Sequence, residues 1–172
     1  AEGAANQAAA TVVYEGHTYA RFDIALNYSQ AEKFCEQAGG HLATLTSWRE
    51  NLAVQSILDD ASYDEYWLGA SDEEWEGSWK WTTGEAFDWT NWDDSQPDNY
   101  NGDEDFLTIY SYYGSWNDRS ADEEDIGFVL EIDPVSEGSP SGEYDLLSDL
   151  VASGFHNCDI WKQLEDPYGN KH

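Results

Sequence analysis

Residues 96–105 read QPDNYNGDED, and residues 116–118 read WND. Most of these side chains end in a carboxylate or amide group, and calcium binds six to eight such oxygen atoms at about 2.3–2.6 Å. The first stretch ends a polar segment, residues 88–105, that is rich in Asn, Asp, Gly and Ser. A loop of this length within a compact domain is usually functional or disordered. The sequence therefore predicts a calcium-binding loop.

Two familiar metal-binding patterns do not fit the chain. An EF-hand loop requires Asp at its first position, Gly at its sixth and Glu at its twelfth. With Gly102 at the sixth position, Pro97 occupies the first and Thr108 the last. The spacing of Cys and His residues along the chain matches no zinc motif. The calcium prediction therefore needs a loop of another kind.

Around this loop the sequence predicts two helices and several strands. Ser29 with Glu32, and Ser47 with Glu50, have the spacing of capping boxes, which predicts two helix starts. The second helix is expected to reach about Leu58. Predicted strands, including a hairpin around Gly16, cover residues 12–24, 66–70, 79–81, 106–113, 116 and 128–132. This order predicts an α+β fold with an antiparallel sheet.

Four short motifs carry a family resemblance. Residues 67–70 read WLGA, residues 96–98 read QPD, residues 104–105 read ED and residues 116–118 read WND. In order and spacing they resemble the motifs of the C-type lectin-like domain, over about residues 12–132. The resemblance implies the C-type lectin-like fold, in which two helices flank antiparallel β-sheets and a long loop binds calcium.

The resemblance implies one primary and one auxiliary calcium site. Asp118 is expected to bind the primary ion through both its side chain and its backbone carbonyl oxygen. The expected ligands of the primary site are Gln96, Asp98, Glu104, Asn117 and Asp118. The expected ligands of the auxiliary site are Asp72, Glu76, Asn99, Glu104 and Asp105.

The resemblance also implies how a sugar binds. In the family, the primary calcium ion keeps two coordination positions for a vicinal pair of sugar hydroxyls, which also hydrogen bond to the protein. The QPD motif favours galactose-type sugars, and fucose is a close second because it offers a suitable diol. Tyr100 is expected to stack on the apolar face of galactose, and the bond before Pro97 is expected to be cis. The expected sugar contacts are Gln96, Asp98, Tyr100, Glu104 and Asn117.

The disulfides usual in the family are largely missing from this chain. Phe106, Ala121 and Leu130 stand where the resemblance places cysteines. The two cysteines present, Cys35 and Cys158, leave two alternatives. Either Cys35 is a buried free thiol, or the C-terminal segment brings Cys158 to it. We expect the bridge, because it would explain a C-terminal segment with apolar content.

The resemblance divides the chain into three segments. Residues 1–11 are expected to form a linker, residues 12–132 the C-type lectin domain, and residues 133–172 a C-terminal extension packed on the domain. Within the extension, residues 133–142 predict a turn-rich connector and residues 143–155 a short amphipathic helix.

The composition limits the partners. The chain has 36 acidic and 7 basic residues, for a formal net charge of −29. Such a surface repels nucleic acid and anionic membranes, and no apolar run approaches the ~20 residues of a membrane helix. We expect no nucleic acid binding and no membrane insertion. The expected setting is extracellular, as a secreted or cell-surface module of a larger protein such as a bacterial adhesin.

Functions from three classes are open at this point. The first is calcium-dependent binding of cell-surface glycans with galactose or fucose, in cell adhesion. The alternative keeps the fold and the calcium but binds protein or ice. A glycosidase needs two free carboxylic groups, yet the well-placed carboxylates are all assigned to calcium, and no histidine adjoins Ser or Cys in a nucleophile motif. We therefore expect no enzymatic activity. The oligomeric state stays open.

Overall fold

The computed structural model describes residues 8–135, which fold around a mixed β-sheet. The strands are β1 Ala10–Tyr14, β2 His17–Phe22, β3 His41–Leu42, β4 Glu65–Ser71, β5 Lys80–Trp81, β6 Phe106–Tyr110, β7 Trp116–Arg119 and β8 Gly127–Ile132. Their order within the described residues is β1-β2-β8-β4-β6-β7, with β3 beside β8 and β5 beside β4. The predicted α+β class and the hairpin between β1 and β2 are confirmed. β1 begins at Ala10, slightly before the predicted start of the domain.

The sequence predicted an antiparallel sheet, and this prediction is wrong for one pair of strands. β4 and β8 run parallel, with Tyr66 opposite Gly127 and Trp67 opposite Phe128. The alternation of apolar residues fixes which face of a strand is buried, but it carries no information about strand direction. Because the long polar loop and three further strands separate β4 from β8, direction is set by the path of the chain and not by a local turn.

Both predicted helices are present, and one starts earlier than predicted. α1 Tyr28–Gln37 is capped by Asn27 and not by Ser29. The Asn27 side chain accepts from the Gln30 backbone N–H at 2.9 Å, and the Gln30 side chain accepts from the Asn27 N–H at 3.1 Å. Asn caps as well as Ser does, and Gln replaces Glu in the reciprocal pair. The upstream pair therefore outcompetes the predicted one.

The second helix has the predicted start. α2 Trp48–Gln55 is capped by Ser47, whose side chain accepts from the Glu50 backbone N–H. It ends short of the predicted Leu58, because the chain closes with tighter turns that bury Ile57 and Leu58 in the core.

Gly69 in the WLGA motif allows β3 and β4 to approach closely. Its backbone N–H donates to the Ala43 carbonyl at 2.9 Å. A Cβ atom at this position would lie only 2.5 Å from the Leu42 carbonyl oxygen. A larger residue here would therefore push the two strands apart.

An aromatic cluster around Trp116 holds the base of the long loop. The rings of Trp81, Trp89 and Trp92 lie with centroids 5.4–5.9 Å from the fully buried Trp116 ring. The Trp116 backbone N–H donates to the Asn91 carbonyl at 2.8 Å, which ties the loop to β7. This anchoring places the two residues after Trp116 beside the loop.

Cys35 is fully buried in the core beneath α1 and forms no disulfide within residues 8–135. Burial raises the pKa of its thiol well above the ordinary value. Cys158 and the predicted C-terminal helix lie outside the described residues, as does the predicted extension after residue 135. The bridge and the packing of the extension therefore stay predictions. No helix between residues 8 and 135 has the length and apolar character to cross a membrane.

Candidate calcium site

Three segments of the chain bring the candidate ligands together. Asp72 follows the end of β4, the QPD and ED motifs lie in the long loop, and Asn117 and Asp118 belong to β7. The loop is irregular except for a single 3-10 turn at Tyr100–Gly102. The predicted cis bond between Gln96 and Pro97 is present.

The first group of ligands is the primary cluster, defined as Gln96, Asp98, Glu104, Asn117 and Asp118. One carboxylate oxygen from each of its three acidic residues lies within 4.8 Å of the others. The side-chain oxygens of Gln96 and Asn117 are buried and have no hydrogen-bond partner among residues 8–135. Buried amide oxygens are nearly always paired, so two unpaired ones beside three carboxylates indicate a candidate cation-binding site.

Backbone N–H groups of the loop aim the carboxylates of the primary cluster. The two Asp118 oxygens accept from the N–H groups of Asp98 at 3.2 Å and Asn99 at 2.7 Å. Glu104 accepts from the Tyr100 N–H at 3.1 Å. Asn99 has φ 44°, in the left-handed region that Asn tolerates better than most residues. This turn presents successive N–H groups to one side of the loop.

The primary cluster concentrates negative charge away from water. The pKa of Glu104 is raised to about 7, mainly by burial and also by the charges of Asp118 and Asp98, against the lowering effect of the Tyr100 N–H. Burial also raises the pKa of Asp118. Glu104 therefore binds a proton at pH values where a free carboxylic acid has released it.

The second group of ligands is the auxiliary cluster, defined as Asp72, Glu76, Asn99 and Asp105. Carboxylate oxygens of its three acidic residues lie within 4.8 Å of one another. One Asp72 oxygen accepts from the Gly77 N–H at 2.8 Å, while the other is buried without a partner in the described part of the chain. The pKa of Asp72 is raised to about 6, mainly by burial and also by the charges of Glu76 and Asp105.

Asn99 joins the two clusters. Its side-chain nitrogen donates to Glu76 at 2.7 Å, its side-chain oxygen accepts from the Glu104 N–H at 3.0 Å, and its own N–H donates to Asp118. The sequence predicts Glu104 in both sites, and the structure groups its carboxylate with those of Asp98 and Asp118.

The donor chemistry of both clusters fits calcium. Each offers only carboxylate and amide oxygens from side chains, which calcium and magnesium prefer over the nitrogen and sulfur donors of zinc sites. Unpaired oxygens in each cluster supply acceptors that a cation would satisfy.

Glu65 is a neighbour of the site that the sequence did not reveal. Its side chain accepts from the Asn117 side-chain nitrogen at 3.1 Å and from the Thr108 hydroxyl at 2.6 Å. It thereby directs the Asn117 side-chain oxygen away from itself. Glu65 opens β4, far from the loop in sequence and in no recognised motif, so only the pairing of β4 with β6 and of β6 with β7 brings it near Asn117.

Tyr100 stands beside the primary cluster with its ring in solvent. Its side chain is 66% exposed, while its backbone N–H is held by Glu104. The ring is therefore available to a ligand above the loop.

Residues 24–127 match the family model for the lectin C-type domain. This match covers more than half of the chain. The chain belongs to the C-type lectin domain family.

Curated and solved relatives agree with this assignment. The C-type lectin BpLec of Bothrops pauloensis is 34% identical over 110 residues, which cover 60% of this chain and 82% of that protein. The mouse scavenger receptor C-type lectin carbohydrate-recognition domain is 29% identical, with a TM-score of 0.65, covering 73% of this chain and 95% of that one. A calcium-independent type II antifreeze protein shares the fold at 21% identity and a TM-score of 0.63, covering 73% of this chain and 92% of that one.

Some relatives are far longer than this C-type lectin domain. Halomucin of Haloquadratum walsbyi is 31% identical over an alignment of 146 residues. This alignment covers 74% of this chain and only 2% of halomucin. C-type lectin domains in general bind carbohydrate and calcium, are typically extracellular modules and are generally not enzymes.

Proposed function

We propose that this C-type lectin domain binds carbohydrate through a calcium ion held by the primary cluster, with a second ion in the auxiliary cluster. The observation that carries the proposal is the pair of buried side-chain oxygens, on Gln96 and Asn117, that lack partners in the described residues beside three converging carboxylates. A calcium ion would satisfy these oxygens and offset the charge of the carboxylates.

The chain's own residues would hold the sugar as follows. The bound calcium would anchor two vicinal sugar hydroxyls as a Lewis acid. Asp98, whose side chain is exposed, would accept a hydrogen bond from one hydroxyl. Gln96 and Asn117 would donate through their NH₂ groups, and each NH₂ has two hydrogens. Because Glu65 takes one Asn117 hydrogen, one remains for the sugar.

The proposed sugar class is galactose-type, with fucose second. The QPD order of acid and amide supports the first, and the exposed Tyr100 ring offers a surface for the apolar face of galactose. The proposed setting is glycan-directed adhesion by a module of a larger extracellular protein.

A glycan array with and without calcium tests the proposal. The domain is labelled, freed of metal by dialysis, and applied in calcium, in magnesium and in neither. Calcium-dependent retention on galactose- or fucose-terminated glycans is the expected result. Retention that ignores calcium, or none on any glycan, contradicts it. The alternative function is binding of protein or ice, and the fold similarity to an antifreeze protein is consistent with it. Thermal hysteresis measured on the same samples tests for ice binding.

A further inference from the structure

A third group of metal-ligating side chains lies outside both calcium clusters and shares no residue with them. It comprises His17, His41, Glu131 and Asp133, and is called here the histidine cluster. Ligand atoms of His17, Glu131 and Asp133 lie within 4.8 Å of one another. We propose that the histidine cluster binds a zinc ion, with His41 as the fourth ligand.

The spacing of the ligand atoms suits zinc. His17 Nδ1 lies 2.7 Å from Glu131 Oε2 and 3.1 Å from Asp133 Oδ1, and His41 Nε2 lies 3.1 Å from Asp133 Oδ2. Neighbouring ligand atoms of a tetrahedral zinc site, with bonds of 2.0–2.2 Å, are ~3.3 Å apart. Small shifts of the His17, Glu131 and Asp133 side chains would open this group around an ion. His41 contacts Asp133 but lies outside the group of mutually close ligand atoms, so it would have to move inward to complete the site.

Neighbouring backbone groups orient two of the ligands. His41 Nδ1 lies 2.8 Å from the Leu42 carbonyl oxygen, which can only accept, so the proton of the neutral ring belongs on Nδ1 and the Nε2 lone pair faces Asp133. Glu131 Oε1 accepts from the Thr44 N–H at 2.9 Å, which leaves Oε2 for the cluster. Such outer partners fix the ring and carboxylate orientations in zinc sites. A lone pair facing a carboxylate needs a cation between them, which is a proton or a metal ion.

The site lies on paired strands and is open to solvent on one side. Register places His41 opposite Glu131 across β3 and β8, and His17 begins β2, which also pairs with β8. The Glu131 side chain is 3% exposed, whereas that of Asp133 is 57% exposed. An ion would enter from solvent past the exposed Asp133 and bind the buried Glu131 carboxylate.

Donor chemistry separates this site from the calcium clusters. Imidazole nitrogen suits zinc, and the all-oxygen calcium clusters suit hard cations. The sequence did not reveal the site because zinc motifs are recognised by short spacings along the chain. Here His17 and His41 belong to β2 and β3, Glu131 belongs to β8 and Asp133 follows β8. A bound ion would clamp β2, β3 and β8 in a domain whose described part has no disulfide.

The test is a calorimetric titration of the whole chain with zinc in saturating calcium. Thermal melting with and without zinc is a second measurement. The variants are His17→Gln and His41→Gln, and the matched controls are His156→Gln and His172→Gln, which lie outside the described residues. We expect one zinc equivalent to bind the wild type and to raise its melting temperature. Each cluster variant should weaken zinc affinity by at least about tenfold, while the controls should leave it unchanged.

Cobalt supplies a second readout that does not depend on a variant folding. Co²⁺ in the wild-type chain should give visible absorption bands of a low-coordinate site with nitrogen ligands, and zinc but not calcium should abolish them. Absence of zinc binding in saturating calcium would mean that the cluster is an ion-pair network only. Unchanged affinity in folded His17→Gln and His41→Gln, or loss of affinity in the controls, would equally overturn the proposal. Neither outcome bears on sugar binding, which is measured separately.

Discussion

Glu65 accepts a hydrogen bond from the Asn117 side-chain nitrogen at 3.1 Å, which leaves the Asn117 side-chain oxygen buried and without a hydrogen-bond partner among residues 8–135. The oxygen and nitrogen ends of a side-chain amide have nearly the same shape. A hydrogen-bond acceptor beside the nitrogen therefore decides that the oxygen is the end available to a metal ion. Glu65 thus acts on the site through Asn117.

Replacing Glu65 with Gln should loosen this orientation, because a Gln amide can either accept from or donate to Asn117. We expect Glu65→Gln to weaken primary-site calcium affinity by about 10–100-fold, the range for neighbours that orient a ligand. Calorimetric calcium titration measures the effect. The control is Glu124→Gln, at an exposed glutamate. Equal affinities in the two variants would refute the orienting role.

Asp98 tests the primary cluster itself. Its side chain is exposed, so Asp98→Ala removes a proposed ligand of both metal and sugar at little cost to the core. We expect calcium-dependent glycan retention to be abolished while the circular dichroism spectrum is kept. Asp94→Ala, at another exposed aspartate of the same loop, should retain binding. Undiminished glycan retention in Asp98→Ala would contradict the primary-site assignment.

Asp72 tests the auxiliary cluster. Asp72→Asn keeps the shape of the side chain and its acceptor for the Gly77 N–H, but removes the charge. We expect calcium stoichiometry to fall from two ions to one. Primary-site affinity should fall by a smaller factor, because Asn99 links the two clusters. Retention of two ions of unchanged affinity would argue against an auxiliary site at Asp72.

Calcium affinity should depend on pH at higher pH values than for a site made of carboxylates with ordinary pKa values of about 4. The pKa of Glu104 is raised to about 7 and that of Asp72 to about 6, so calcium must displace protons from both in mildly acidic solution. Lowering the pH from about 7.5 to 5.5 should cut primary-site affinity by at least about tenfold, with proton release on binding. Titrations in buffers of different ionisation enthalpy measure both. Constant affinity above pH 5.5 would contradict it.

The same shifts set the stability of the metal-free domain. A carboxyl whose pKa is raised in the folded state binds protons that the unfolded chain has released, so the free energy of unfolding falls as pH rises. From Glu104 the window runs from about pH 4.5 to about 7. The melting-temperature gap between calcium-loaded and dialysed protein should therefore widen across this window. Sodium chloride of equal ionic strength is the control.

Local sequence signals were enough for much of the fold. The Ser47 cap, the β1–β2 hairpin and the long loop depend on residues close in the chain, and all are confirmed. The cis bond before Pro97, which the family resemblance implied, is also confirmed. The α1 cap was misplaced because two capping pairs overlap, and only their competition in the folded chain selects Asn27.

What the sequence could not supply is long-range pairing. The parallel direction of β4 and β8, the hydrogen bond from Asn117 to Glu65 and the meeting of His17 with Glu131 all join residues on strands far apart in sequence. No local pattern encodes such contacts. The candidate calcium ligands, in contrast, were predicted from motifs with a fixed spacing, and their carboxylates lie close together in the structure.

Tyr100 offers a test of sugar preference that leaves the metal alone. Its ring is 66% exposed and lies on the loop that holds the primary cluster, while only its backbone contacts Glu104. If the ring stacks on galactose, Tyr100→Ala should lose about 0.5–1.5 kcal/mol of binding free energy, or about 2–10-fold in affinity. Fucose affinity should change less, and calcium affinity should not change. Tyr112→Ala, which removes an 83% exposed ring away from the clusters, is the matched control. An equal loss for both sugars, or none relative to Tyr112→Ala, would exclude stacking and leave Tyr100 an ordinary exposed loop residue.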